Sequence, residues 1–134
     1  YDLNNSHVLP ALLRKFIEAK SNGDQSVTIW GSGSPLREFL HVDDLADACL
    51  FLMRNYNEKE FLNAGVGHDI SIIDLAKMVK EIVGFEGEIM LDKSKPDGTP
   101  RKLMDVSRLR ELGWEASIQL RDGILATFKR INKF

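Results

Sequence analysis

Segments with a helical apolar repeat alternate with short runs of β-branched and apolar residues, and this alternation admits little besides an α/β fold. Val8, Leu12, Leu13, Phe16 and Ile17 form one stripe of a helix predicted to reach about Lys20. Asn5 or Ser6 can cap it, and Pro10 falls in or near its first turn, where amides lack intrahelical partners. After the polar break SNGD, VTIW at 27–30 reads as a strand and GSGSP as a loop. REFLHV can be extended, with Asp43 or Asp44 capping a helix through about Asn55. The middle of that helix, Ala48 to Met53, is apolar nearly all round and is expected to be covered on more than one side. EFLNAG at 60–65 reads as a further strand. Ser71 and Asp74 have the spacing of a capping box, opening a helix with Ile72, Leu75, Ala76, Val79 and Ile82 on one stripe and Gly84 as its stop. EIMLD is a strand and KSKPDGTPRK a turn-rich loop. DVSRLRELG is a short helix capped by Asp105 and ended by Gly113, and Leu120, Ile124, Phe128 and Ile131 line a last helix. The expected architecture is α/β, with short strands alternating with about five helices.

A chain of 134 residues suffices for one domain with a buried core. Its net charge of -2, with acids and bases interspersed, argues against a nucleic-acid-binding module, which needs a basic face rather than one short basic loop. Cys49 is the single cysteine; within ACLFLM it reads as a core thiol in a reducing compartment, so a cytoplasmic location is expected. No apolar run approaches the roughly 20 residues of a membrane span. The chain opens at Tyr1 without an initiator methionine and is read as a piece of something longer.

The common catalytic signatures are missing. GSGSPLRE lacks the Gly-Lys-Ser/Thr ending of a Walker loop and does not fit the dinucleotide glycine pattern between strand and helix. The three histidines are dispersed and lack partner cysteines, so no metal site is expected. Two features point to an anion. Trp30 and Arg37 flank the glycine loop, an aromatic face and a guanidinium fork suited to a nucleotide diphosphate. Lys93, Lys95, Arg101 and Lys102 border a Pro-Asp-Gly turn that exposes amides. Each has a plainer reading: a tryptophan ending a strand is more often core than platform, and a basic loop is more often simply solvated. His7, at a helix start, either joins local capping bonds or serves as a general acid, because the positive end of the helix dipole favours release of a proton there. His41 and His68 read as structural.

The segments NNSHVLPALLRKF, VTIWGSGSPLREFLHVDDLADA, LNAGVG and SKPDGTPRKLMDVSRL resemble, in order and over essentially the whole chain, the C-terminal substrate-binding part of the GDP-L-fucose synthase family. These are extended short-chain dehydrogenase/reductases. REFLHVDDLA marks the broader group of sugar-nucleotide epimerases and dehydratases, whereas WGSG with KPDGTPRK is more specific. The resemblance implies a two-lobe homodimeric enzyme that epimerises C3 and C5 of GDP-4-keto-6-deoxy-mannose and reduces C4 with NADPH. Residues 1–134 would form its sugar-nucleotide-binding lobe, with the Rossmann lobe mostly absent. His7 matches the family's catalytic acid and a cofactor contact, and Lys15, Trp30, Arg37, Asp97 and Lys102 match or neighbour substrate contacts. Lys15 stands where the family often has arginine, which keeps the charge without the bidentate fork. A carboxylate such as Asp97 could accept from guanine N–H groups. Neither Tyr1 nor Tyr56 has a lysine four residues on, so the Tyr-x-x-x-Lys pair of such reductases is missing and this chain alone is expected to be inactive. The resemblance also implies that the apolar helix at 44–55 packs between lobes, leaving a surface through which the isolated piece self-associates. Two alternatives stand beside this reading: a related sugar-nucleotide epimerase or dehydratase, and a non-catalytic nucleotide-sugar-binding or interaction module.

Overall fold

The computed structural model describes residues 7–131, so the expected caps Asn5 and Ser6 lie outside the described residues. Helix α1 (Val8–Asn22) starts after His7, whose extended backbone takes the N-cap position. Pro10 is thus the third helical residue, where its missing N–H forfeits no intrahelical bond. Gly23 ends the helix at a φ of 71°, the left-handed turn that favours glycine. Leu12, Leu13, Phe16 and Ala19 are buried on the face the stripe foretold.

Strand β1 (Ser26–Trp30) pairs in parallel with β4 (Glu88–Asp92). Helix α1 packs on α3 (Ile72–Val83), which in turn meets α5 (Leu120–Ile131). The main core lies between these layers, from Phe16, Val27, Ile29, Leu75, Val79 and Ile124. Phe16 is fully buried, with its ring centroid 5.6 Å from that of Phe85 in a tilted pair. Each such large apolar side chain contributes roughly 1.5–3 kcal/mol relative to exposure. Ser71 caps α3, its Oγ accepting from the Asp74 amide at 3.1 Å, and Gly84 closes it, as expected.

A second, three-stranded sheet has the order β3-β2-β5, with β2 (Leu36–Arg37) antiparallel to β3 (Ile70–Ser71) and parallel to β5 (Arg101–Lys102). The extended reading of REFLHV is therefore paired only at its first residue. EFLNAG forms no strand: Phe61 is exposed, and the Val66 and Gly67 amides beyond it go to the Glu38 carboxylate instead of a neighbouring strand. Helix α4 (Ser107–Glu111) begins one residue later than expected, although Asp105 Oδ1 still accepts from the Ser107 amide at 2.9 Å.

The largest departures concern α2 (Val42–Asn55). His41, not Asp43 or Asp44, is its cap, with Nδ1 accepting from the Asp43 amide at 3.2 Å. Ala48 faces a small second core with Leu109 and Trp114. Cys49, one position on and so turned about 100° around the axis, is exposed and is not the core thiol its apolar neighbours suggest. The helix is covered on one side here and, in line with a surface left open in the isolated piece, Val42, Leu45, Leu50 and Met53 face outward. No helix among the described residues is long and apolar enough to cross a membrane.

Candidate functional site

Because β1 and β4 run in parallel with Trp30 opposite Asp92, the loops that follow them leave the sheet side by side. They also fit into one another. The Asp97 carboxylate of the second loop accepts from the Ser32 amide at 2.8 Å and the Ser32 hydroxyl at 2.7 Å. Ser32 Oγ in turn accepts from the Ser34 amide at 3.1 Å. The Ser32 hydroxyl and then its amide hold the Asp97 carboxyl below its ordinary pKa. Gly31 leaves room for this contact, since a Cβ there would strike Asp97 Oδ1, and its φ of 81° disfavours any side chain as well. Gly98 does the same for Arg37, whose Nη2 lies 3.1 Å from where a Cβ would stand. The two glycine turns of the sequence thus form a single interlocked wall.

Behind that wall is a cavity of about 250 Å³ lined by Lys15, Trp30, Arg37 and Asp97, with apolar floor from Leu12 and Ile29. Lys15 reaches it from α1 and donates to the Thr28 carbonyl at 2.8 Å. Burial first, and then the Arg14 charge, lower its pKa from the usual lysine value. Arg37 is half-buried on β2 and donates to the Leu36 carbonyl at 2.6 Å. Trp30 is 66% exposed, so the reading of a strand-end tryptophan as core does not hold. The buried tryptophan is Trp114, which donates to Asp47 Oδ2 at 2.8 Å.

Four of the six expected site residues therefore meet in one place. His7 sits at the mouth of α1, exposed, one residue before the cavity-lining Val8, and its ring makes no capping hydrogen bond. Lys102 is the register partner of Arg37 on β5 but is exposed and does not line the cavity. The other basic residue of that strand, Arg101, is committed to Asp69 at 2.6 Å. Sequence reasoning missed Ser32, the donor that engages both Asp97 oxygens, and the only signal for it was its place between two glycines. The turn after β1 leads into β2 rather than a helix, so it offers no helix N-terminus to a dinucleotide pyrophosphate.

Residues 1–65 match the NAD dependent epimerase/dehydratase family. GDP-L-fucose synthase 1 of Arabidopsis thaliana is 60% identical over 124 residues, which is 92% of this chain and 38% of that protein. Among solved structures, a GDP-L-fucose synthetase from Naegleria fowleri bound to NADP superposes with a TM-score of 0.91 at 29% identity, over 99% of this chain and 42% of the other. The GDP-mannoheptose C4 reductase of Campylobacter jejuni, with NADP bound, gives 0.85 at 37% identity, over 98% and 48%. The chain spans less than half the length of each. Identity sustained across nine-tenths of the sequence, together with a shared α/β fold, makes this chain similar to one part of the GDP-L-fucose synthases, and its first half matches the NAD dependent epimerase/dehydratase family.

Proposed function

We propose that residues 1–134 form one substrate-binding lobe of a longer enzyme, and that the cavity between α1, β1 and the 93–100 loop receives the nucleoside diphosphate of a GDP-sugar. The observation that carries this is the convergence of Lys15, Arg37, Trp30 and Asp97 on one cavity. Two cations around an apolar floor suit a ligand that carries a doubly charged linker beside a less polar group. The names of the relatives share GDP and differ in the sugar, fucose in two and a heptose in the third, which supports GDP as the common element.

In the complete enzyme the reaction is epimerisation at C3 and C5 of GDP-4-keto-6-deoxy-mannose followed by reduction at C4. A ketone acidifies the C–H bonds beside it, so inversion needs a base on one face and an acid on the other. His7 serves as the acid, supported by its exposed place beside the cavity and by a ring not used for capping. The opposing base lies outside this sequence. NADPH supplies the hydride for C4; it is held mainly by the lobe outside this sequence, with His7 as a contact from this one. Lys102 extends the cationic wall from beside Arg37. The isolated chain is catalytically inactive, and the complete enzyme is a cytoplasmic homodimer.

Titration of this chain with GDP, ADP and UDP by calorimetry tests the binding reading. GDP should bind in preference to the others, and Arg37→Ala should weaken it by about tenfold or more, the loss of a charge-assisted pair to phosphate. Binding without preference among the three, or binding unaffected by Arg37→Ala, would overturn it.

The uncovered side of α2 fits a helix that packs against the rest of the longer enzyme, because four large apolar side chains at helical spacing are left in water. Alone, the chain should therefore associate as its concentration rises, and Met53→Lys, which charges an 81% exposed position, should suppress this. A monomer at all concentrations in sedimentation would count against that packing.

A further inference from the structure

Resting on the nucleoside diphosphate reading, we infer that Lys95 is a further ligand-binding residue, and that Trp30 anchors the Lys15 and Lys95 ammonium groups against the diphosphate instead of stacking on the base.

Two cations converge on one indole. Lys15 Nζ lies 5.7 Å from the Trp30 ring centroid and Lys95 Nζ 5.5 Å from it. Both are within the range in which the ring's negative face attracts a cation. They come from different elements, Lys15 from α1 and Lys95 from the loop after β4. Lys15 is fixed by its bond to the Thr28 carbonyl. The Lys95 backbone is fixed by its amide, which donates to the Asp92 carbonyl at 3.2 Å.

No carboxylate among the described residues closes on either ammonium. Asp97 has each oxygen engaged by Ser32, and Asp92 spends Oδ1 on the Ser94 amide and hydroxyl. Asp92 feels the Lys95 charge without closing a salt bridge to it. Two unpaired like charges drawn to one ring repel each other, and an anion between them relieves that repulsion. The half-buried Arg37 lines the cavity with Lys15 and Trp30, and Lys95 stands at its edge, just ahead of the lining Pro96, so the most favourable anion is one with two adjacent charged groups. A ring whose face is taken by an ammonium is not open to a stacked guanine.

Trp30 is exposed and Trp114 buried, so fluorescence changes on titration report the Trp30 side. Inorganic pyrophosphate should change the emission and compete with GDP, while guanosine should do neither. Lys95→Met should weaken both pyrophosphate and GDP about tenfold, and Lys95→Arg should restore most of the loss. Lys95 is exposed, so both variants should keep the wild-type melting temperature. If Lys95→Met binds GDP as wild type does, or if guanosine competes and pyrophosphate does not, the lysine clamp is wrong and the GDP cavity stands. If wild type binds GDP no better than ADP or UDP, the GDP reading itself fails, yet pyrophosphate binding lost in Lys95→Met would still sustain the clamp. Absence of both GDP and pyrophosphate binding overturns both.

Discussion

Asp44→Ala is expected to destabilise the chain by about 3 kcal/mol, the cost of leaving several partly buried donors without an acceptor. Asp44 is 5% exposed in the first turn of α2. Its carboxylate accepts from the Ser117 amide at 3.2 Å, the Ser117 hydroxyl at 2.9 Å and the Ile118 amide at 2.9 Å. These donors lie just ahead of α5, so one side chain ties the N-terminus of α2 to the segment that launches the last helix. Burial raises its pKa, but the bonds from Ile118 and Ser117, with the nearby His41, outweigh it and hold the carboxyl below the ordinary 3.8. The folded state thus binds this proton less readily than the unfolded one. The stabilisation is complete above the unfolded value and is lost as pH falls through the folded value. Urea unfolding of wild type and variant should show the full difference at pH 7 and a shrinking one below about pH 4. A gap that stays constant to pH 2 would exclude the carboxylate as its source.

Glu38→Ala should cost about 2 kcal/mol, somewhat less because one of its three donors is exposed and water can take over. Glu38 Oε1 accepts from the Val66 amide at 2.7 Å and the Gly67 amide at 2.8 Å, and Oε2 from the Met104 amide at 2.9 Å. Gly65 permits the approach, since a Cβ there would strike Oε1. The residue follows the cavity-lining Arg37 directly, so it holds two loops around the strand that presents the guanidinium. Hydrogen exchange should show protection lost together at Val66, Gly67 and Met104. Glu38→Gln should fall between, because a side-chain amide can accept from one pair but meets the Met104 N–H with another donor. Unchanged protection in Glu38→Ala would show that the loops are held by other contacts.

These two carboxylates also explain what could be read in advance and what could not. The helical stripes through Phe16 and through Leu75 and Val79 were legible because a 3.6-residue period commits one face to burial whatever lies opposite. The capping box at Ser71 was legible because its partners are three residues apart. Asp44 looked like a cap and proved an anchor for residues more than 70 positions away, a distance at which no local pattern carries information. Cys49 failed for a related reason: apolar neighbours show that some side of α2 is sheltered, not which one. At the site, Trp30, Arg37 and Asp97 were marked by their turn sequences. The ring–ammonium contact of Lys95 was not, because nothing in its own neighbourhood refers to position 30.

The direction of β4 sets what the two site loops can do together. Had it run antiparallel to β1, the segment carrying Asp97 would leave from the far end of the pair. Over strands of five residues that is a displacement of roughly 13 Å, well beyond the reach of a carboxylate. Gly31 and Asp97 could not then touch, nor Trp30 and Lys95. A mutation that slid this pairing by two residues would keep every side chain on its own face and every core contact apolar, yet it would pull the clasp apart. Strand register here is therefore a determinant of ligand affinity, and selection on binding would preserve it even where folding alone tolerated the shift.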